Sequence, residues 1–354
     1  MAQSDAGDLN LPSFCIASSA HDQIVGRVTR NIALILLVLA TPGALRAAAI
    51  DALTFTPDGK AIVFNGHKAL KIQSIGGGKA AAVPCSFAKI TDLAFSPDGK
   101  TLAIAGGLAG SSGGFRIIKW QNRDEIARHD DFDDIATAIA FHPTASAIAV
   151  ASADRSVAIY GFKQGRPSER AVHKLSDHSR AVLDVAYTPD GKRLVTSSAD
   201  RSLKVWNPET GKLLRSFGNH TEIVHALAMR PPVVFAGRTL PAYCASGSDD
   251  QTVRIWQPGI GRMVRIVRYH DGPIFALVWQ PDGARLLTVG KEGLIRLIDG
   301  DSDEVLGKWP AHDDWVYSLA ISPDGRLLAS GDWSGEVKLW QIEKDGLQLL
   351  RKVK

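Results

Sequence analysis

One phrase recurs along this chain and constrains its fold more than any other feature. An apolar-x-apolar stretch runs into Pro-Asp-Gly as LTFTPDG (53–59), LAFSPDG (93–99), VAYTPDG (185–191), LVWQPDG (277–283) and LAISPDG (319–325). Degenerate copies, IAFHPTA (139–145) and LAMRPPV (227–233), fill the two gaps. The prolines are Pro57, Pro97, Pro143, Pro189, Pro231, Pro281 and Pro323, spaced 40 to 50 residues apart. Internal periodicity of this length means a repeat architecture.

Each unit reads alike. An alternating stretch such as LDVAYT is a strand of period two. Pro presets φ and Gly accepts a positive φ, so Pro-Asp-Gly is a tight turn. A second strand (RLVTSS), a turn with Asp or Gly, a third strand (SLKVW) and a fourth (LLRSF) complete it. Four short strands per 40–45 residues make a β-propeller blade. The expectation is an all-β, seven-bladed propeller of four-stranded antiparallel blades over 50–354. The stretch LQLLRKV (347–353) supplies the last outer strand, so the ring closes without borrowing an N-terminal strand.

The string SADRS occurs at 152–156 and again at 198–202, followed by VAIY to Tyr160 and LKVW to Trp206. Other third strands end VRIW (253–256), VKLW (337–340) and IRLI (295–298). A His stands eleven residues before the proline in four units: His178, His220, His270 and His312. His, turn Asp and strand Trp in this register resemble the WD40 repeat family, in a bacterial form. The resemblance implies a hydrogen-bonded tetrad in each ideal blade. It falls on His178, Thr196, Asp200 and Trp206 in blade four, and on His220, Ser246, Asp250 and Trp256 in blade five. Blade seven has Ser334 where Asp belongs, and blade six has Glu292 and Ile298. Blade three has Asp154, Tyr160 and an off-register His129; blades one and two lack the tetrad.

The N-terminal 49 residues lie outside this pattern. Arg27 and Arg30 precede an apolar run, Ile32–Ala40, and Ala47-Ala48-Ala49 forms an A-x-A end. That is the layout of a secretory signal cleaved after Ala49, with Val28 as an alternative start. The run is shorter than the ~20 residues of a membrane span. Export to a periplasm or cell surface is expected, with a cytosolic regulator bearing a misassigned start as the alternative.

No GxSxG is present, and His/Asp pairs that recur from blade to blade read as structural glue, so no catalytic residue is assigned. HDDFDD (129–134) and HDDW (312–315) lack a DxDxDG loop, so no metal is assigned. GGLAGSSGG (106–114) lies between strands and opens no helix, unlike a phosphate loop. The three cysteines, Cys15, Cys85 and Cys244, form no CxxC. The net charge of +4 is scattered, which argues against nucleic acid. No cofactor is expected.

What remains is surface. Six residues before each proline stand Asp51, Thr91, Thr137, Leu183, His225, Phe275 and Tyr317. Before the turn Asp stand Ala153, Ala199, Asp249, Lys291 and Trp333 in blades three to seven. Aromatic side chains therefore gather at His225, Phe275, Trp315, Tyr317 and Trp333, a candidate partner-binding face of a monomeric ring. Packing around the channel is the other reading of these residues. The insertion PPVVFAGRTLPA (231–242) falls on the opposite face, and Trp279 is assigned to the core. The expected function is a non-catalytic scaffold for a protein or peptide. The alternative is a propeller enzyme or a small-ligand or metal binder at the channel, using Asp51, Thr91, Thr137 and His225.

Overall fold

A computed structural model describes residues 48–353, apart from 236–237 and 345. The apolar run 32–40 lies outside the described residues. Among the described residues every regular element is a β-strand. They form seven consecutive antiparallel sheets, each built around four strands. Blade one comprises Leu53–Phe55, Ala61–Gly66, Ala69–Ser74 and Ala81–Pro84. Blade seven comprises Val316–Ile321, Leu327–Asp332, Val337–Glu343 and Gly346–Val353. In blade three the outer position is shared by Arg166–Pro167 and His173–Leu175, which both pair with Val157–Lys163. The first strand of each blade contacts the first strands on either side, and blade seven's contacts blade one's. The sheets thus close into a seven-bladed propeller around a central channel.

The repeated phrase works through local bonds. In four copies the residue before Pro donates its hydroxyl to the Asp two positions on, at 2.6 Å, as in Thr56 to Asp58 and Ser96 to Asp98. The Gly of the five full copies sits at φ between +67° and +71°, where a side chain is disfavoured. In degenerate blade three Ala145 takes that place at φ +53°, at a cost of about 1–2 kcal/mol. SADRS is likewise a turn between second and third strands. Asp154 and Asp200 each accept the backbone N–H and hydroxyl of the Ser two residues on.

The core is distributed rather than central. Seven apolar clusters each lie between two adjacent blades. Between blades four and five, Val205, Val224, Cys244 and Trp256 are all buried. Burying one large apolar side chain is worth about 1.5–3 kcal/mol. Trp279 is buried as expected, and its Nε1 donates to the Ala228 carbonyl at 3.2 Å.

Closure uses the same devices. Ile50, Leu53 and Phe55 pack on Ala329, Leu339 and Val353. The Ile50 N–H donates to the Asp332 carbonyl at 3.0 Å, and Ser318 Oγ donates to the Ile50 carbonyl at 2.7 Å. All four strands of blade seven come from 316–353, so among the described residues no strand is exchanged. The hydrogen-bonded frame of blade one takes in Ala49. Its carbonyl accepts from Asn65 Nδ2 at 2.7 Å, as that of Ala181 accepts from Ser198 Oγ at 2.8 Å in blade four.

Candidate functional site

The His/Asp pairs are the groups that most resemble catalysts. In blade four His178 Nδ1 lies 2.9 Å from Asp200 and Nε2 lies 2.7 Å from the Thr196 hydroxyl, which accepts from Trp206 Nε1 at 3.0 Å. Blade five repeats this with His220–Asp250 at 2.8 Å, His220–Ser246 at 2.7 Å and Trp256–Ser246 at 2.8 Å. A neutral His with its proton on Nδ1 satisfies every member of the chain. Burial alone would raise the two carboxyls, but bonds from His178 and Ser202, and from His220 and Thr252, hold both well below the carboxylate range. Every hydrogen-bonding atom of each His is engaged within the blade, so these groups are glue.

Blade seven corrects the sequence reading. Ser334 does stand at the usual Asp position, yet the tetrad is complete. Asp332, two residues earlier, meets His312 Nδ1 at 2.7 Å, while Ser330 meets His312 Nε2 at 2.7 Å and Trp340 Nε1 at 2.9 Å. Ser334 Oγ donates to Asp332 at 2.8 Å. Blade four carries Ser198 and Asp200 at the corresponding places, so Ser and Asp have traded positions. Neighbours two apart at the end of a strand point the same way, which is why the exchange works. His312, Asp332 and Glu336 also bring donor atoms within 4.8 Å of one another, as a metal site would. Both nitrogens of His312 are already used, and Glu336 meets Lys338 at 3.1 Å and Lys352 at 2.8 Å. The set suits its lysines, not an added cation.

Blades three and six depart as the sequence suggests, with reasons the sequence does not show. In blade three the hydroxyl slot is filled by buried Val150. Tyr160 donates instead to Asp131 at 2.8 Å, and Asp131 also meets His129 Nδ1 at 3.0 Å on the outer strand of blade two. In blade six His270 Nε2 meets Thr288 at 2.9 Å, but its buried Nδ1 has no partner. Glu292 has turned to Arg296 instead. Burial, and then the Arg296 charge, press His270 down to about 3.

The five aromatic residues predicted as a partner face lie together. Phe275 is the keystone. Its ring stacks on Tyr317 with centroids 4.8 Å apart, and lies 5.9 Å from Trp315 and 5.2 Å from His225. Tyr317 is 6.3 Å from Trp315 and 5.6 Å from Trp333. All five are half-buried, so the cluster is both packed and accessible. His225 Nε2 meets Asp249 at 2.7 Å, and Lys291 Nζ stands 5.2 Å from the centre of the Trp315 ring. Trp333 has one ring neighbour and Phe275 has three, so Trp333 is the cleaner place to probe this surface.

The other residues at the same positions around the channel do different work. Thr91 donates to the Ala136 carbonyl at 2.6 Å and Thr137 to the Val182 carbonyl at 2.7 Å, each stapling its blade to the next. Asp51 is paired with Lys89 at 3.2 Å. Asp51, Thr91 and Thr137, the candidate channel ligands of the alternative reading, are thus each engaged within the ring. Sequence reasoning missed Asp92 and Asp184, which occupy the next position along. Asp92 accepts from the Ile139 N–H of blade three at 2.8 Å, and Asp184 from the Leu227 N–H of blade five at 2.7 Å. Both keep some exposure to the channel, yet protein surrounds them. That desolvation pushes Asp92 up to about 6; with the Asp92 charge nearby, it pushes Asp184 up to about 8. The available signal was an Asp five residues before the proline in an otherwise apolar or small first-strand position.

The insertion of blade five lies between strands Val224–Met229 and Cys244–Ser248 and includes a small hairpin, Val234–Phe235 with Arg238–Thr239. Beside it a cleft of about 290 Å³ is lined by Pro189, Pro231, Pro241 and Tyr243. This is the side of the Pro-Asp-Gly turns, away from the aromatic cluster. No helix among the described residues is long and apolar enough to cross a membrane.

Comparison with known proteins agrees with this geometry. The family model described as WD domain, G-beta repeat matches residues 169–207, 211–257, 261–299 and 303–341. Each matched repeat takes the outer strand of one blade and three strands of the next, which ties neighbours covalently. The chain is 27% identical over 221 residues to Nuclear distribution protein PAC1 of Arthroderma benhamiae, covering 61% of this chain and 38% of that one. It is 24% identical over 166 residues to Actin-interacting protein 1 of Drosophila melanogaster, covering 46% and 26%. It is 28% identical over 177 residues to Striatin-4 of Homo sapiens, covering 48% and 23%. The chain thus spans well under half the length of these relatives. With seven four-stranded blades, tetrads in blades four, five and seven, and matched repeats leading into blades four to seven, this protein is a seven-bladed β-propeller that carries four WD40 repeats between residues 169 and 341.

Proposed function

We propose that the ring is a non-catalytic, monomeric scaffold that presents the aromatic rim of blades five to seven to a protein or peptide partner. The observation that carries this reading is the contiguity of His225, Phe275, Trp315, Tyr317 and Trp333, all half-buried on one rim. Half-exposed aromatics in one patch are the usual anchors of an interface. A relative named for its interaction with actin fits a binding role for the fold, and the partner of this chain is left to experiment. The test is affinity capture with the full chain against Trp333→Ala and Tyr317→Ala. Loss of capture with the melting temperature held within a few degrees supports the rim. Loss of folding in both variants counts the rings as packing and overturns it.

We further propose that the chain is exported, on the pattern of Arg27, Arg30, Ile32–Ala40 and Ala47–Ala49. N-terminal sequencing of the native protein decides it. A mature end near Ile50 supports export, and an intact segment 28–49 on a cytosolic protein overturns it.

A further inference from the structure

We infer that the aromatic rim takes a basic side chain from its partner peptide, arginine in preference to lysine, and that Lys291 is the cation this side chain displaces. The inference rests on the rim being the binding face and adds the chemistry of what binds there.

Ring faces carry negative charge density and attract cations. The rim already does so within the chain, since Lys291 Nζ stands 5.2 Å from the centre of the Trp315 ring. Lys291 is exposed, so this contact can open. Carboxylates border the same rings. Asp249 holds His225, whose edge meets Phe275. Asp314 Oδ1 accepts from the backbone N–H of Trp315 at 2.8 Å, which fixes the carboxylate at the base of that residue. Burial, reinforced by the charges of Asp51, Asp314 and Asp249, raises the Tyr317 hydroxyl, so three carboxylates act on one ring of the cluster. Two of them have partners: Asp51 meets Lys89 at 3.2 Å, and Asp249 meets His225 at 2.7 Å. Among the described residues Asp314 forms no ion pair.

This chemistry discriminates between partners. An acidic peptide is repelled by the carboxylates. A purely apolar one would cover Asp314 and leave it desolvated without a charged partner, which is costly. A basic side chain satisfies both features at once. Guanidinium does so better than ammonium, because its plane stacks on a ring while its fork meets a carboxylate.

The experiment pans a randomised heptapeptide library against the intact full chain and measures the selected peptides by calorimetry. The expected peptides share an arginine, and replacing it with glutamine weakens binding at least tenfold. Asp314→Asn weakens the same peptides severalfold, less so at high salt. Lys291→Ala tightens them, which a merely structural Lys291 would not do. Peptides that depend on Trp333 but carry an apolar or acidic anchor, and ignore Asp314→Asn, overturn the cation inference and leave the rim as the binding face. A failed selection, or peptides indifferent to Trp333→Phe and Trp333→Ala, overturns both.

Discussion

Blades five and six are neighbours with the same strand order and the same His, hydroxyl and basic residue, yet one network is complete and the other is not. In blade five Asp250 meets His220 at 2.8 Å and Arg254 at 3.4 Å, serving both. In blade six Glu292 is one methylene longer. It reaches Arg296 and leaves His270 Nδ1 bare, and Ile298 offers no indole N–H to Thr288. The apolar packing around the two blades is otherwise alike: Ile255 and Val267 in one, Ile295 and Leu297 in the other, are all buried. The fold therefore tolerates loss of a tetrad wherever the inter-blade clusters persist. The tetrad adds rigidity to a ring that apolar burial already holds.

Six substitutions sharpen or break this comparison. The largest effect is expected from Trp256→Ala, which removes a fully buried indole stacked on Phe217 and unties Ser246; about 3–5 kcal/mol should be lost in denaturant unfolding. Ile298→Ala should cost less, because no hydrogen bond goes with it. Asp250→Ala should cost about 1–3 kcal/mol, since it strands a buried His220 Nδ1. If it costs nothing, the tetrad is ornamental and the contrast between the blades fails.

A gain is expected from Glu292→Asp. The shorter carboxylate can serve His270 as Asp250 serves His220, for about 0.5–1.5 kcal/mol. This variant also has a pH signature. The ordinary His value is 6.5 and His270 is held down to about 3, so in that window the unfolded chain takes up a proton that the folded ring refuses. Stability therefore declines as pH falls from about 6.5 toward 3. Glu292→Asp should flatten that decline, and an unchanged slope would show that the new carboxylate does not reach His270. The smallest effect is expected from Asp154→Ala, at most about 0.5–1 kcal/mol by thermal melting. Asp154 serves the turn of its own SADRS copy and the Asp133 N–H, without a buried His. Asp200→Ala in the other copy should cost clearly more, because it strands His178.

The seven units, their turns and the order of their strands were legible because each depends on residues adjacent in the chain. A hydroxyl reaching an Asp two positions on, or a Gly at positive φ, needs no partner from elsewhere. The tetrads of blades four and five were legible through the resemblance to WD40 repeats, carried over position by position. That of blade seven was not, because its carboxylate had moved from 334 to 332, and only the packed blade shows that Asp332 still reaches His312. Asp92 and Asp184 escaped for a related reason: their partners, Ile139 and Leu227, belong to the next blade.

The sequence by itself determined a ring of seven four-stranded blades, because repeated local preferences admit few other architectures and stacking buries the faces that single blades leave open. It also named the five residues of the rim, His225, Phe275 and Tyr317 from equivalent places in successive repeats, with Trp333 before its turn and Trp315 close by. Only the tertiary structure decided that they touch. Phe275 comes from blade six and Tyr317 and Trp333 from blade seven; the curvature of the closed ring brings Phe275 within 4.8 Å of Tyr317, which stands 5.6 Å from Trp333 of its own blade. The same curvature turned Thr91 and Thr137, at equivalent positions, into staples between blades. Position in a repeat sets where a side chain can stand, and the neighbouring blade sets what it meets there.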